Sequence, residues 1–98
     1  MNNSTYYPKV QKISDAYGYD AQSRQCIEEC AELIFAITKK DREPYKVKRL
    51  IDLKEELADV FIMVLQLIYI LDRNERQIDG LIEQKINRQL ERMKEIKK

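Results

Sequence analysis

Five carboxylates in two short runs carry most of the chemistry this chain can offer. Glu28-Glu29-Cys30-Ala31-Glu32 puts three acids in just over one helical turn, and Glu56-Leu57-Ala58-Asp59 repeats a three-residue spacing further along. At about 100° per residue, Glu29 and Glu32 lie about 60° apart around a helix, and so do Glu56 and Asp59. Each pair therefore shares a face, and the rest of that face is apolar. Leu33 and Ala36 extend the first stripe, while Val60, Met63 and Leu67 extend the second. Apolar stripes turn inward, and a carboxylate buried without compensation is either costly or forced to protonate. Opposed arginines or lysines could compensate, and so could a divalent cation. A cluster of four carboxylates from two facing helices suits a hard cation such as Mg²⁺, which prefers oxygen ligands. The competing reading puts such glutamates on solvated helix faces, where either motif alone is often found. Two motifs together, each on an apolar stripe, favour the buried site.

Composition narrows the chemistry further. The 98 residues include no histidine, which excludes Ser-His-Asp catalysis, histidine general bases and histidine-bound zinc. With only Gly18 and Gly80, there is neither a phosphate-binding glycine loop nor a glycine-rich dinucleotide turn. Cys26 and Cys30 are four apart on one expected helix. They are too few for a structural zinc site and poorly placed for a disulfide, so they read as small packing residues in a reducing compartment. The net charge is +1, from 18 basic and 17 acidic residues, so no overall field favours nucleic acid or an anionic membrane. Met1 to Lys9 is polar and lacks the apolar core of a secretory signal, which points to a cytoplasmic protein.

The elements that must position the acids are helices. A first helix is expected from about Tyr7 to Tyr17, with Pro8 in its opening turn and Gly18 ending it. Asp20 caps a second, running to about Lys40, and the polar run Lys39 to Pro44 reads as a loop. A third spans about Lys46 to Leu71. Asn74 and Gln77 resemble a capping box for a fourth, which carries Ile78, Leu81, Ile82, Ile86, Leu90 and Met93 on one stripe. From Leu57 to Leu71 only Asp59 and Gln66 are not apolar. That segment is too short for a membrane span, which needs about 20 residues, so it should be buried on all sides in protein. Three other short helices would struggle to surround it. The expectation is an all-α, four-helix bundle forming one domain over residues 1–98, completed by self-association into a homodimer or homotetramer.

With the motifs in place, the chain resembles a known family. Glu28-Glu29-x-x-Glu32 followed by Glu56-x-x-Asp59 is similar to the signature of the all-α NTP pyrophosphatase superfamily, the MazG-like proteins. Tyr17-Gly18, Gln22, Ile27 to Ile34 and Glu55 to Val60 extend the likeness, which covers about Gly18 to Arg92. The resemblance implies that Glu29, Glu32, Glu56 and Asp59 bind Mg²⁺, with Mn²⁺ able to substitute. It implies that Glu28, with Glu29, serves catalysis by helping a second metal site or orienting the attacking water. The implied reaction hydrolyses a nucleoside triphosphate between its α- and β-phosphates, a chemistry suited to housecleaning of the nucleotide pool. Alternatives are phosphoribosyl-ATP pyrophosphatase, within the same superfamily, and a helical interaction module whose acids bind a partner's arginines without catalysis.

A triphosphate also needs cations. Lys85, Arg88 and Arg92 recur within about 60° on the expected fourth helix, where the family commonly places phosphate contacts. Their competing reading is a solvated basic face paired with Glu91 and Glu95. Asn87 and Lys54 are weaker candidates. Tyr17 and Tyr19 could line a base pocket but read better as packing residues. Gln22 and Gln25 could bind a base, support a ligand or simply face solvent, so the residues leave the nucleobase unnamed. The expected partners are thus a nucleoside triphosphate and copies of the chain itself, with neither nucleic acid nor membrane.

Overall fold

The computed structural model describes residues 5–96. The first positions of the polar N-terminal stretch, and the last two of the expected domain, lie outside it. The described residues form three helices, α1 (Tyr7–Arg42), α2 (Val47–Leu71) and α3 (Arg76–Ile96), with no strand among them.

The expected first and second helices are arms of one element, α1, which breaks at Gly18. There φ is 82° and ψ 176°, a conformation that a residue with a Cβ enters only under strain. Helical hydrogen bonding continues past the expected loop start at Lys39 as far as Arg42. The Glu43 N–H then donates to the Lys39 carbonyl, and Pro44, lacking an N–H, stops further extension. α2 starts at Val47 and keeps its expected end.

The turn before α3 departs from its expected capping box. Asp72 does the work foreseen for Asn74: its Oδ2 accepts the Ile78 N–H at 2.8 Å, satisfying a free donor of the first turn. Glu75, the residue before the helix, is 1% exposed and left-handed, with φ 58°. The Tyr7 hydroxyl bonds to its carboxylate. Burial and that carboxylate push the Tyr7 hydroxyl up to about 12, so it remains a neutral donor at ordinary pH.

α1 and α2 pack along one another, and the core lies between them. Tyr7, Val10 and Ala36 of α1 are buried with Met63, Leu65 and Tyr69 of α2. Polar contacts pin the register. Gln22 Nε2 donates to Gln66 Oε1, and the Tyr69 hydroxyl bonds to the Asp15 carboxylate at 3.1 Å while accepting from Arg73 at 2.9 Å. The Tyr7 and Tyr69 rings meet edge to face, their centroids 6.4 Å apart.

α3 stands apart from this pair. It makes no extended packing with α1 or α2, and none of its described residues is buried. The radius of gyration, 16.4 Å, exceeds the about 13 Å expected for a compact chain of this size. The single chain by itself is therefore not a closed four-helix bundle, and the expected bundle was one completed by self-association. Its α3 stripe is open, with Ile86 52% exposed, and α2 is not enclosed, since Leu57 is 50% and Phe61 48% exposed. One neighbouring helix cannot cover every side of an apolar helix.

Gly18 yields a direct check. The space around it is open, so a Cβ there meets only backbone strain. Gly18→Ala should lower unfolding free energy by about 1–3 kcal/mol in denaturant melts. Gly80→Ala, in the second turn of α3 with equally open space, should instead raise helicity slightly.

Candidate metal centre

The acids converge because the second arm of α1 lies along the first half of α2. Glu29 and Glu32 project from α1 and Glu56 from α2, and each offers an oxygen within 4.8 Å of the others. Leu33 and Val60 are half-buried beside them and Met63 and Ala36 are buried, so the apolar stripes do turn inward.

The electrostatics of the trio are unfavourable by themselves. Glu29 Oε1 accepts a hydrogen bond from Gln25 Nε2 at 2.9 Å, one turn earlier on α1. Glu29 Oε2 and Glu56 Oε2 are buried with no hydrogen-bond partner. Burial pushes the Glu56 carboxyl above its ordinary value, and the charges of Glu32, Asp59 and Glu29 push it further. Among the described residues no arginine or lysine forms an ion pair with any of these acids. Compensation by opposed basic side chains, left open by the sequence, is thus not the arrangement seen. Partnerless buried oxygens among converging carboxylates are a donor set that fits a hard divalent cation.

The other expected residues fall into place unequally. Asp59 is exposed and lies outside the trio, though its charge reaches Glu56. Its side chain is one methylene shorter than glutamate. Glu28 is exposed and is likewise outside the trio. Lys85, Arg88 and Arg92 are exposed on α3, which does not pack on the helices that carry the acids. The expected pairing of that basic face reduces to Lys94 with Glu91 at 3.3 Å. Lys54 is exposed and forms no ion pair among the described residues. Gln25 supports Glu29, whereas Gln22 is spent on Gln66 in the interface. Tyr17 and Tyr19 are exposed rather than packed. Cys26 is half-buried and Cys30 exposed, both as free thiols in contact with each other, so only Cys26 is even partly a packing residue.

A groove of about 390 Å³ opens beside the trio, walled by Glu32 and Glu56 and continued by Phe35, Lys39, Asp52 and Glu55. Neither Phe35 nor Lys39 was singled out as a site residue from the sequence. The available signal was their spacing of three and seven from Glu32, which puts them on its face of the helix.

The MazG nucleotide pyrophosphohydrolase domain matches residues 19–97, most of the chain and all five acids. The chain belongs to the MazG family. Comparisons with curated proteins and with solved structures gave no significant match. Membership carries the general character of MazG proteins, hydrolases acting on nucleotides, and agrees with the all-helical fold. No helix among the described residues is long and apolar enough to cross a membrane.

Opposite signs are expected with and without metal. In chelator, Glu56→Gln should raise the melting temperature, because it removes one of several crowded like charges. Mg²⁺ or Mn²⁺ should raise the melting temperature of the unsubstituted chain and leave the variant nearly unmoved. Thermal melts with and without 5- to 10-fold excess metal over its dissociation constant, about 1 kcal/mol of stabilisation or more, check both signs.

Proposed function

We propose that this MazG chain is a Mg²⁺-dependent nucleoside triphosphate pyrophosphohydrolase that releases a nucleoside monophosphate and pyrophosphate, in a nucleotide housecleaning role. The observation that carries the reading is the pair of buried, partnerless oxygens on Glu29 and Glu56, inside the family's acidic motifs. In this reading Glu29, Glu32 and Glu56 hold the cation. Asp59, exposed but electrically coupled to Glu56, completes the set through a side-chain adjustment or a bridging water. Mn²⁺ substitutes, having similar oxygen-ligand preferences.

When bound, the cation supplies positive charge against the triphosphate and lowers the pKa of a coordinated water. The protein's own part is placement and proton transfer. Glu28, or an oxygen of Glu29 not engaged with the cation, accepts the proton of the attacking water as the bond between the α- and β-phosphates breaks. Gln25 orients Glu29 through its hydrogen bond and so steadies that geometry.

The working unit is a homodimer or homotetramer of this one domain in the cytoplasm. The exposed α3 stripe and the open side of α2 are each too apolar to remain in water, and pairing copies buries both. Such pairing also offers Lys85, Arg88 and Arg92 a place over a neighbouring copy's acids, where they contact phosphate. Metal dependence separates this reading from its rival, a module whose acids bind a partner's arginines: a chain with no metal-induced rise in melting temperature would favour the rival.

Pyrophosphate release should appear with Mg²⁺ in a screen of common and modified NTPs and dNTPs. Glu56→Gln should reduce it by about 100-fold or more, as loss of a charge-stabilising group does. Undiminished activity in Glu56→Gln or Asp59→Asn would remove the metal assignment. In sedimentation velocity the chain should run as a dimer or larger, and Ile86→Asp with Leu90→Asp should shift it toward monomer. A folded wild-type monomer would contradict the assembly.

A further inference from the structure

The groove beside the trio contains an aromatic ring and a lysine that the proposed reaction does not use. Phe35 is 67% exposed, although it is among the largest apolar side chains of α1. It lies three residues beyond Glu32, about 4.5 Å along the helix axis, and lines the same groove as Glu32 and Glu56. The Lys39 ammonium sits 5.6 Å from the ring centroid, one further turn along. The remaining polar wall is acidic, formed by Asp52 and Glu55.

These features sort the two halves of a nucleotide. A phosphate chain is repelled by a wall of carboxylates except where a cation intervenes, and among the described residues the acids converge into a cation centre at the trio alone. A neutral base meets no such repulsion and gains by covering an exposed aromatic face. The groove, at about 390 Å³, lies within the range of small-molecule sites. We propose that this groove is the nucleoside subsite, with the Phe35 ring as the surface on which the base stacks. Lys39 is a positioning residue: its ammonium holds the ring by a cation–π contact and leaves the other ring face for the base. The inference rests on the reading of the trio as the metal and phosphate site.

The test separates the two readings by using half-substrates. AMP and inorganic pyrophosphate are titrated calorimetrically into the full chain with Mn²⁺, beside metal-dependent melts of the same proteins. Phe35→Ala should bind AMP about tenfold more weakly, as loss of one stacking contact does, with pyrophosphate binding and the metal-induced melting shift unchanged. Phe35→Tyr should restore AMP binding. Lys39→Gln should produce a smaller loss that Lys39→Arg recovers. Phe35→Ala binding AMP as tightly as wild type, while the metal shift persists, overturns the stacking surface alone. Equal loss of AMP and pyrophosphate, or a changed sedimentation coefficient with AMP affinity intact, overturns it too. A wild-type chain with no metal-induced shift overturns the metal reading and this one with it.

Discussion

The rest of this structure depends on the cost of holding like charges together in a half-dry place. Glu29, Glu32 and Glu56 meet with oxygens within 4.8 Å, and two of those carboxylates each keep an oxygen buried and unpartnered. The hydrogen bond from Gln25 reaches only the other oxygen of Glu29, and no ion pair among the described residues offsets that repulsion. Such an arrangement persists only because packing elsewhere over-determines it, which is how strain comes to be stored at functional sites. A divalent cation turns the same geometry from a liability into a binding site.

The over-determination lies further along the α1–α2 pair. Tyr69 with Asp15 and Arg73, and Tyr7 with Glu75, bond around the first arm of α1 and the end of α2, and Gln22 with Gln66 ties the start of the second arm to the same half of α2. They set the register that carries Glu56 up to Glu29 and Glu32. The stabilising contacts and the destabilising acids thus occupy successive stretches of one antiparallel pair. Gly18 lets the two arms of α1 lie against α2 at different angles, so neither stretch is compromised for the other.

Part of the candidate site was legible in the sequence. Helical periodicity is local, so the stripes carrying the acids could be assigned to inward faces, and Met63 and Ala36 are indeed buried there. Only Glu29 and Glu56 of the four expected ligands are half-buried, whereas Glu32 and Asp59 are exposed. The break at Gly18 was legible for the same reason, since a positive φ there needs only one residue. The capping of α3 was misread because Asn74 fits a common pattern, whereas Asp72 reaches the Ile78 N–H only through the path of the turn. Burial of α2 on all sides was expected from its composition, but burial depends on how many neighbours a helix has, and one chain supplies too few.

The sequence by itself determined an all-helical MazG chain, the two acidic motifs and the side of each helix on which they lie, because these follow from residue type and a period of 3.6. Tertiary structure decided which oxygens meet. Side-chain reach and interhelical register bring Glu56 among Glu29 and Glu32 while Asp59 stays outside the trio. It also decided that α3, with Lys85, Arg88 and Arg92, leaves its own acids, and that Phe35 and Lys39 share their groove. Contacts between residues far apart in sequence are set by packing, and no local pattern encodes them.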